Sequence, residues 1–131
     1  GTRPMIRLKP GVSLDNVHPR IFHLIAVAGP IWAKYGSTDL WITGANEPGH
    51  GVGSRGYHRL VDGTCRAVDV RTWTISDPIS RRQAVDDLAA EVGSLYDVLF
   101  EEQRNDPLTG AVLRGEHAHC QYDPDRPGTV A

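Results

Sequence analysis

The sequence predicts an α+β domain: a small antiparallel sheet with two main helices on one face and a cleft for chemistry on the other. Three observations predict it. Two stretches repeat apolar residues with a period near 3.6, and several short runs are rich in β-branched and aromatic residues. Between them, 14 glycines and nine prolines punctuate a loop-rich chain. At 131 residues, with 40% apolar and 23% charged content, the chain is expected to be one globular domain, 1–131, around one sizeable core. The core spans about 10–124, followed by an irregular tail over 123–131.

Residues 5–14 read as an extended lead-in, with Gly11 closing Leu8-Lys9-Pro10. Asn16-Val17-His18-Pro19 looks like a helix start, with proline near the first helical position. From Arg20 to Tyr35, Ile21, Leu24, Ile25, Ala28, Ile31 and Trp32 form one buried helical face. Pro30 falls inside this pattern and should kink or split the helix, which Gly36 then stops.

Asp39 to Thr43 is the first strand. Gly44 to Gly56, with Gly49-His50-Gly51-Val52-Gly53, is a loop long enough to serve function. Cys65 to Arg71 is the second strand. Alternation puts Cys65, Ala67, Asp69 and Arg71 on one face, with Val68 and Val70 on the other. Ser76-Asp77-Pro78 caps a second helix through Ala84, Val85, Leu88, Ala89 and Val92, which stops at Gly93. Tyr96 to Phe100 is weighed as strand over helix because β-branched and aromatic residues follow a glycine breaker. A turn at 105–110 leads to strands over 111–114 and 118–122.

A net charge of −2, with Lys and Arg scattered, predicts no pull toward nucleic acid or anionic membrane. No run of about 18 apolar residues is present to span a bilayer, and no signal peptide is visible at the N-terminus. A monomer is expected. Cys65 and Cys120 read as free thiols packed near the core. A disulfide would need their strands to be adjacent, and zinc ligation by either is the least favoured option.

The chemistry centres on Glu116-His117-Ala118-His119, read with His58 and Asp69. Two imidazoles and one carboxylate suit the borderline-soft Zn²⁺ ion. Three protein ligands leave a fourth position for water, whose pKa the metal lowers to roughly 7. A spare glutamate can then take the proton. Alternation places His117 and His119 on one strand face, with Glu116 at the strand edge. Each residue also has an ordinary role open to it. Asp69 can pair with Arg66 or with Arg71 on its own face, and His58 and His50 can be exposed loop histidines.

Trp41-Ile42-Thr43-Gly44, the Gly/His-rich loop, Ser54 to His58 and Ala67-Val68-Asp69-Val70-Arg71 carry a family likeness. Tyr96-Asp97-Val98 and Glu116-His117-Ala118-His119 complete it. The pattern resembles the zinc D-Ala-D-Ala carboxypeptidase family and its relatives among phage L-Ala-D-Glu endolysins, with a hedgehog/DD-peptidase-like fold. The likeness covers most of residues 10–124. It implies a zinc metallopeptidase with His58, Asp69 and His119 as metal ligands and Glu116 as general base. His117 would be a second donor or an orienting partner; Asp97 could orient a ligand in the same way or be a structural aspartate at a strand end. The implied cofactor is Zn²⁺, and the implied substrate is an amide bond in the peptide part of bacterial peptidoglycan. The absence of a visible signal peptide then suits a lysin or virion-associated enzyme acting at the cell wall.

Two departures stand out. The interval between His58 and Asp69 holds ten residues, and Ser54 stands four before His58, both longer than the family usually shows. Either the loop carries a four-residue insertion or His50 is the first ligand. The substrate-binding arginine expected after the first strand is also missing, with Thr43-Gly44-Ala45-Asn46 in its place. These departures are what one competing expectation predicts: a non-catalytic structural or binding module that keeps the fold, with or without zinc as a staple. A second competitor is a zinc-free globular domain whose histidines hydrogen-bond in the core.

Overall fold

A computed structural model describes residues 4–46, 60–61 and 64–124. Its centre is a five-stranded sheet in the order β1-β2-β5-β9-β6. The strands are β1 (Met5–Leu8), β2 (Asp39–Gly44), β5 (Ala67–Arg71), β6 (Tyr96–Glu101) and β9 (His117–Tyr122). β2, β5, β9 and β6 pair antiparallel, as expected. β1 does not: it runs parallel to β2, with Met5 opposite Asp39, so the sheet is mixed. The cause is α1 (Pro19–Lys34), which carries the chain from β1 to β2 as the crossover that parallel neighbours require. The lead-in is thus partly an edge strand, fastened by a 2.7 Å bond from Arg7 Nε to Asp39 Oδ2.

α1 begins where proline was expected. His18 is the N-cap, its Nδ1 accepting from the Arg20 N–H at 3.0 Å, and Pro19 opens the first turn. Gly36, at φ +95°, follows the helix end. Pro30 does not split the helix, which is one element from Pro19 to Lys34. Proline removes the N–H that would bond to the Ala26 carbonyl, but Ala26 and Pro30 both lie on the exposed side, where water can meet that carbonyl. α2 (Pro78–Val92) is capped by Asp77, whose Oδ2 accepts from the Ser80 N–H at 3.1 Å, and ends at Gly93 at φ +85°.

Both helices cover one face of the sheet. Ile21, Leu24, Ala28 and Trp32 of α1 and Ala84 and Leu88 of α2 are fully buried there. They meet Leu40, Ile42, Val68, Val70, Ala118 and Cys120 of the sheet, likewise fully buried. Burying each of the leucines, isoleucines and valines among them contributes roughly 1.5–3 kcal/mol before chain entropy is subtracted. The second predicted strand is divided at Arg66. Thr64–Cys65 is β4, paired with β3 (Leu60–Val61), and only Ala67–Arg71 joins the main sheet.

Cys65 is therefore not on the face shared by Asp69 and Arg71. Its backbone accepts from the His18 N–H and donates to the Asn16 carbonyl, both at 2.8 Å, and it is buried in the core. Cys65 and Cys120 are both free and buried. The turn at 105–110 joins β7 (Arg104–Asn105) to β8 (Val112–Arg114). Asp106 Oδ1 accepts from the Leu108 and Thr109 N–H groups there. Among the described residues no helix is long and apolar enough to cross a membrane.

Candidate metal centre

The face of the sheet turned away from the helices carries the polar residues. Register sets them side by side: Asp69 opposite His119, Arg71 opposite His117, Leu99 opposite His119, Glu101 opposite His117 and Asp97 opposite Gln121. With a side-chain period of two, all of these except Leu99 offer polar groups on the same side. His117 and His119 share one face, as alternation predicted.

Asp69 and His119 meet. Asp69 Oδ1 lies 3.1 Å from His119 Nδ1. The other ring nitrogen, Nε2, is 2.8 Å from Gln121 Oε1, and Gln121 Nε2 donates to Asp97 Oδ2 at 3.3 Å. This chain of contacts fixes the imidazole. Because the Gln121 amide nitrogen is turned to Asp97, its carbonyl oxygen faces His119 and can only accept. Nε2 must then carry the hydrogen, leaving a lone pair on Nδ1 of the neutral ring. That lone pair faces a carboxylate oxygen.

Two acceptors at 3.1 Å require a cation between them, which can be a proton on the ring or a metal ion. Burial by itself would lower the His119 pKa, but the Asp69 hydrogen bond and charge, with help from Gln121 and Glu101, hold it above its usual value. Asp69 and His119 supply two donors of the types zinc takes. Gln121 and Asp97 stand behind His119 as the partners that fix its tautomer.

Gly44 of β2 packs directly on the aspartate. A Cβ there would lie 2.6 Å from Asp69 Oδ2 and 3.3 Å from its Cγ. Only glycine leaves the carboxylate where it is. Asp69 is not paired with Arg71, although they share a face. The Arg71 guanidinium instead stacks on two indoles, 4.9 Å from the Trp41 ring centre and 4.5 Å from that of Trp73.

His117 adjoins the pair, its Nε2 3.8 Å from Asp69 Oδ1. The same nitrogen is 3.1 Å from Glu101 Oε1, and Nδ1 is 2.8 Å from the Gly115 carbonyl. Glu101 is in turn held by Arg114, Nη1 to Oε2 at 3.1 Å. His117 thus faces acceptors with both nitrogens and suits a donor's role.

Glu116 is elsewhere. Thr72 Oγ1 donates to its Oε1 at 2.5 Å, and Arg81 of α2 lies 3.5 Å from Oε2. Strand alternation sends position 116 to the side of Ala118, toward the helices, while Asp69 and His119 face the other way. The structure therefore brings together Asp69, His119 and His117, and holds Glu116 in a separate ion pair.

The proposed ligand His58 and its alternative His50 lie outside the described residues. Among the described residues no three His, Cys, Asp or Glu side chains converge as a metal site. Two contributors went unread in the sequence. Gln121 was available from alternation, two residues beyond His119. Glu101 was not, because only the β6–β9 register sets it opposite His117. No family model, curated protein or solved structure matches the chain.

Proposed function

We propose that this protein is a zinc-dependent peptidase that hydrolyses an amide bond in the peptide part of bacterial peptidoglycan. One observation carries the metal part of this reading: His119 Nδ1 and Asp69 Oδ1 face each other at 3.1 Å with the hydrogen committed to Nε2. The substrate class rests on the resemblance of the Ala67-Val68-Asp69 strand and the Glu116-x-x-His119 block to cell-wall peptidases.

Asp69 and His119, with His58 from the Gly/His-rich loop, would hold the ion. When bound, zinc supplies a Lewis acid and a water of lowered pKa. Gln121 and Asp97 hold the Nε2 side of His119, so that Nδ1 is turned toward Asp69. His117 Nε2, by exchanging Glu101 for the scissile carbonyl oxygen, would donate to it as its charge grows. The resemblance makes Glu116 the general base; to serve, it would have to leave Arg81 and Thr72 and turn from the helix side of the sheet to the side of Asp69 and His119, where it would meet the attacking water. Its carboxylate takes that proton and returns it to the leaving amine.

Two measurements test this. Protein purified without added zinc should carry the metal, and the metal should be lost in Asp69→Ala and His119→Ala. Wild-type protein should clear a gel containing purified cell walls. Glu116→Ala should cut clearing by about 10²–10⁴-fold while keeping zinc. A wild-type protein that binds zinc but never clears the gel would favour a second reading, a zinc-stapled module without catalysis. The Glu116–Arg81 ion pair speaks for that second reading, since it ties up the base.

A further inference from the structure

We infer that Arg71, clamped between Trp41 and Trp73, is the specificity-determining residue that binds a substrate carboxylate beside the metal centre; this rests on the peptidase reading. Arg71 is two residues from Asp69 on the same strand face, about 7 Å along β5, and directly opposite His117. A group bound to it would lie one pleat from the Asp69–His119 pair.

The clamp leaves the guanidinium with one kind of bond to make. Indoles stand 4.9 and 4.5 Å from its central carbon. They favour the cation electrostatically and restrict its rotation. The N–H donors lie in the guanidinium plane, so a planar acceptor reaches them from the edge. A carboxylate matches that fork with two parallel hydrogen bonds. Among the described residues Arg71 has no ion pair and no hydrogen bond from its side chain, although Asp69 and Glu101 line the same face. A guanidinium flanked by two indoles, with no carboxylate paired to it among the described residues, is placed to receive an external anion.

The site is also accessible. Trp73 is 51% exposed, so one wall of the clamp is open to solvent. Peptidoglycan stem peptides carry free carboxylates close to their scissile amides. Thr43-Gly44-Ala45-Asn46 has no arginine where the resembled family places its own, and Arg71 reaches the same face from the next strand.

The test uses two synthetic peptides, L-Ala-γ-D-Glu-L-Lys-D-Ala-D-Ala and its fully amide-capped form. Each is titrated calorimetrically into the Glu116→Ala protein, so that the peptide is not consumed, with zinc and after EDTA. The free acid should bind at least tenfold more tightly than the capped form. Adding Arg71→Gln should remove that preference, weakening free-acid binding by about 10–100-fold. Arg71→Lys, which keeps the charge and loses the fork, should fall between the two.

Zinc content should not change in either variant. Equal affinities for the two peptides, or an Arg71→Gln or Arg71→Lys chain that binds the free acid as tightly as the parent, overturns the inference. Should Arg71→Gln fail to fold, Arg71→Lys decides it. Carboxylate preference without zinc uptake would leave Arg71 standing and remove the metal reading. Zinc uptake without carboxylate preference would do the reverse.

Discussion

At the scale of single residues, the position of the Asp69 carboxylate depends on what is missing next to it. Gly44 lacks the Cβ that would come within 2.6 Å of Asp69 Oδ2. In Gly44→Ala the carboxylate must turn, and turning it breaks the 3.1 Å contact with His119. The substitution should therefore lower zinc affinity by about tenfold or more, comparable to the loss of a partner behind a metal ligand. Chelator competition measures this directly, and unchanged affinity would show that Asp69 does not coordinate. Legibility in the sequence was uneven at this scale. Asp69 and His119 stood out because a carboxylate among valines and a paired histidine on a strand are costly without a purpose. Glu101 did not stand out, since a glutamate at a strand end is ordinary until the register of β6 on β9 sets it against His117.

At the scale of elements, the helix ends were the most readable features because capping is local chemistry. Asp77 caps α2 through its bonds to the Ser80 hydroxyl and N–H, which hold its pKa below the ordinary 3.8. The sign follows from that direction. The stabilisation is complete above 3.8 and disappears as pH falls through the lower folded value. Asp77→Asn keeps a capping side chain but cannot titrate. The urea midpoint of wild type relative to Asp77→Asn should hence decline on acidification below about pH 4. A constant difference would mean the carboxylate charge adds nothing to the cap. The division of Cys65–Arg71 into two strands had no local sign. It comes from α1's entry, where His18 and Asn16 take both backbone bonds of Cys65.

At the scale of the whole molecule, one apolar layer between the helices and the sheet sets the resistance to opening. Cys65 and Cys120 are both fully buried in it. Burial, with the nearby Asp69 charge, pushes the Cys120 thiol far above its usual range. Neither thiol should react with Ellman's reagent until the fold opens, whereas both should react in guanidinium. Zinc bound only by the folded chain adds about 2.7 kcal/mol at a hundredfold excess over Kd. Labelling that needs global unfolding should then slow by about 100-fold, and zinc-independent labelling would place the metal off the folded domain.

The sequence by itself determined the α+β class, both helices with their starts and stops, the shared faces of Asp69 with Arg71 and of His117 with His119, and the Asp69/His119 candidates. Each of these follows from periodicity or from chemistry within a few residues. Tertiary structure alone decided the parallel β1 edge, the pairing of Glu101 with His117, the Arg71 clamp between two indoles and the capture of Glu116 by Arg81. These contacts join residues far apart along the chain. Their partners are selected by strand register and helix placement, which local periodicity leaves open.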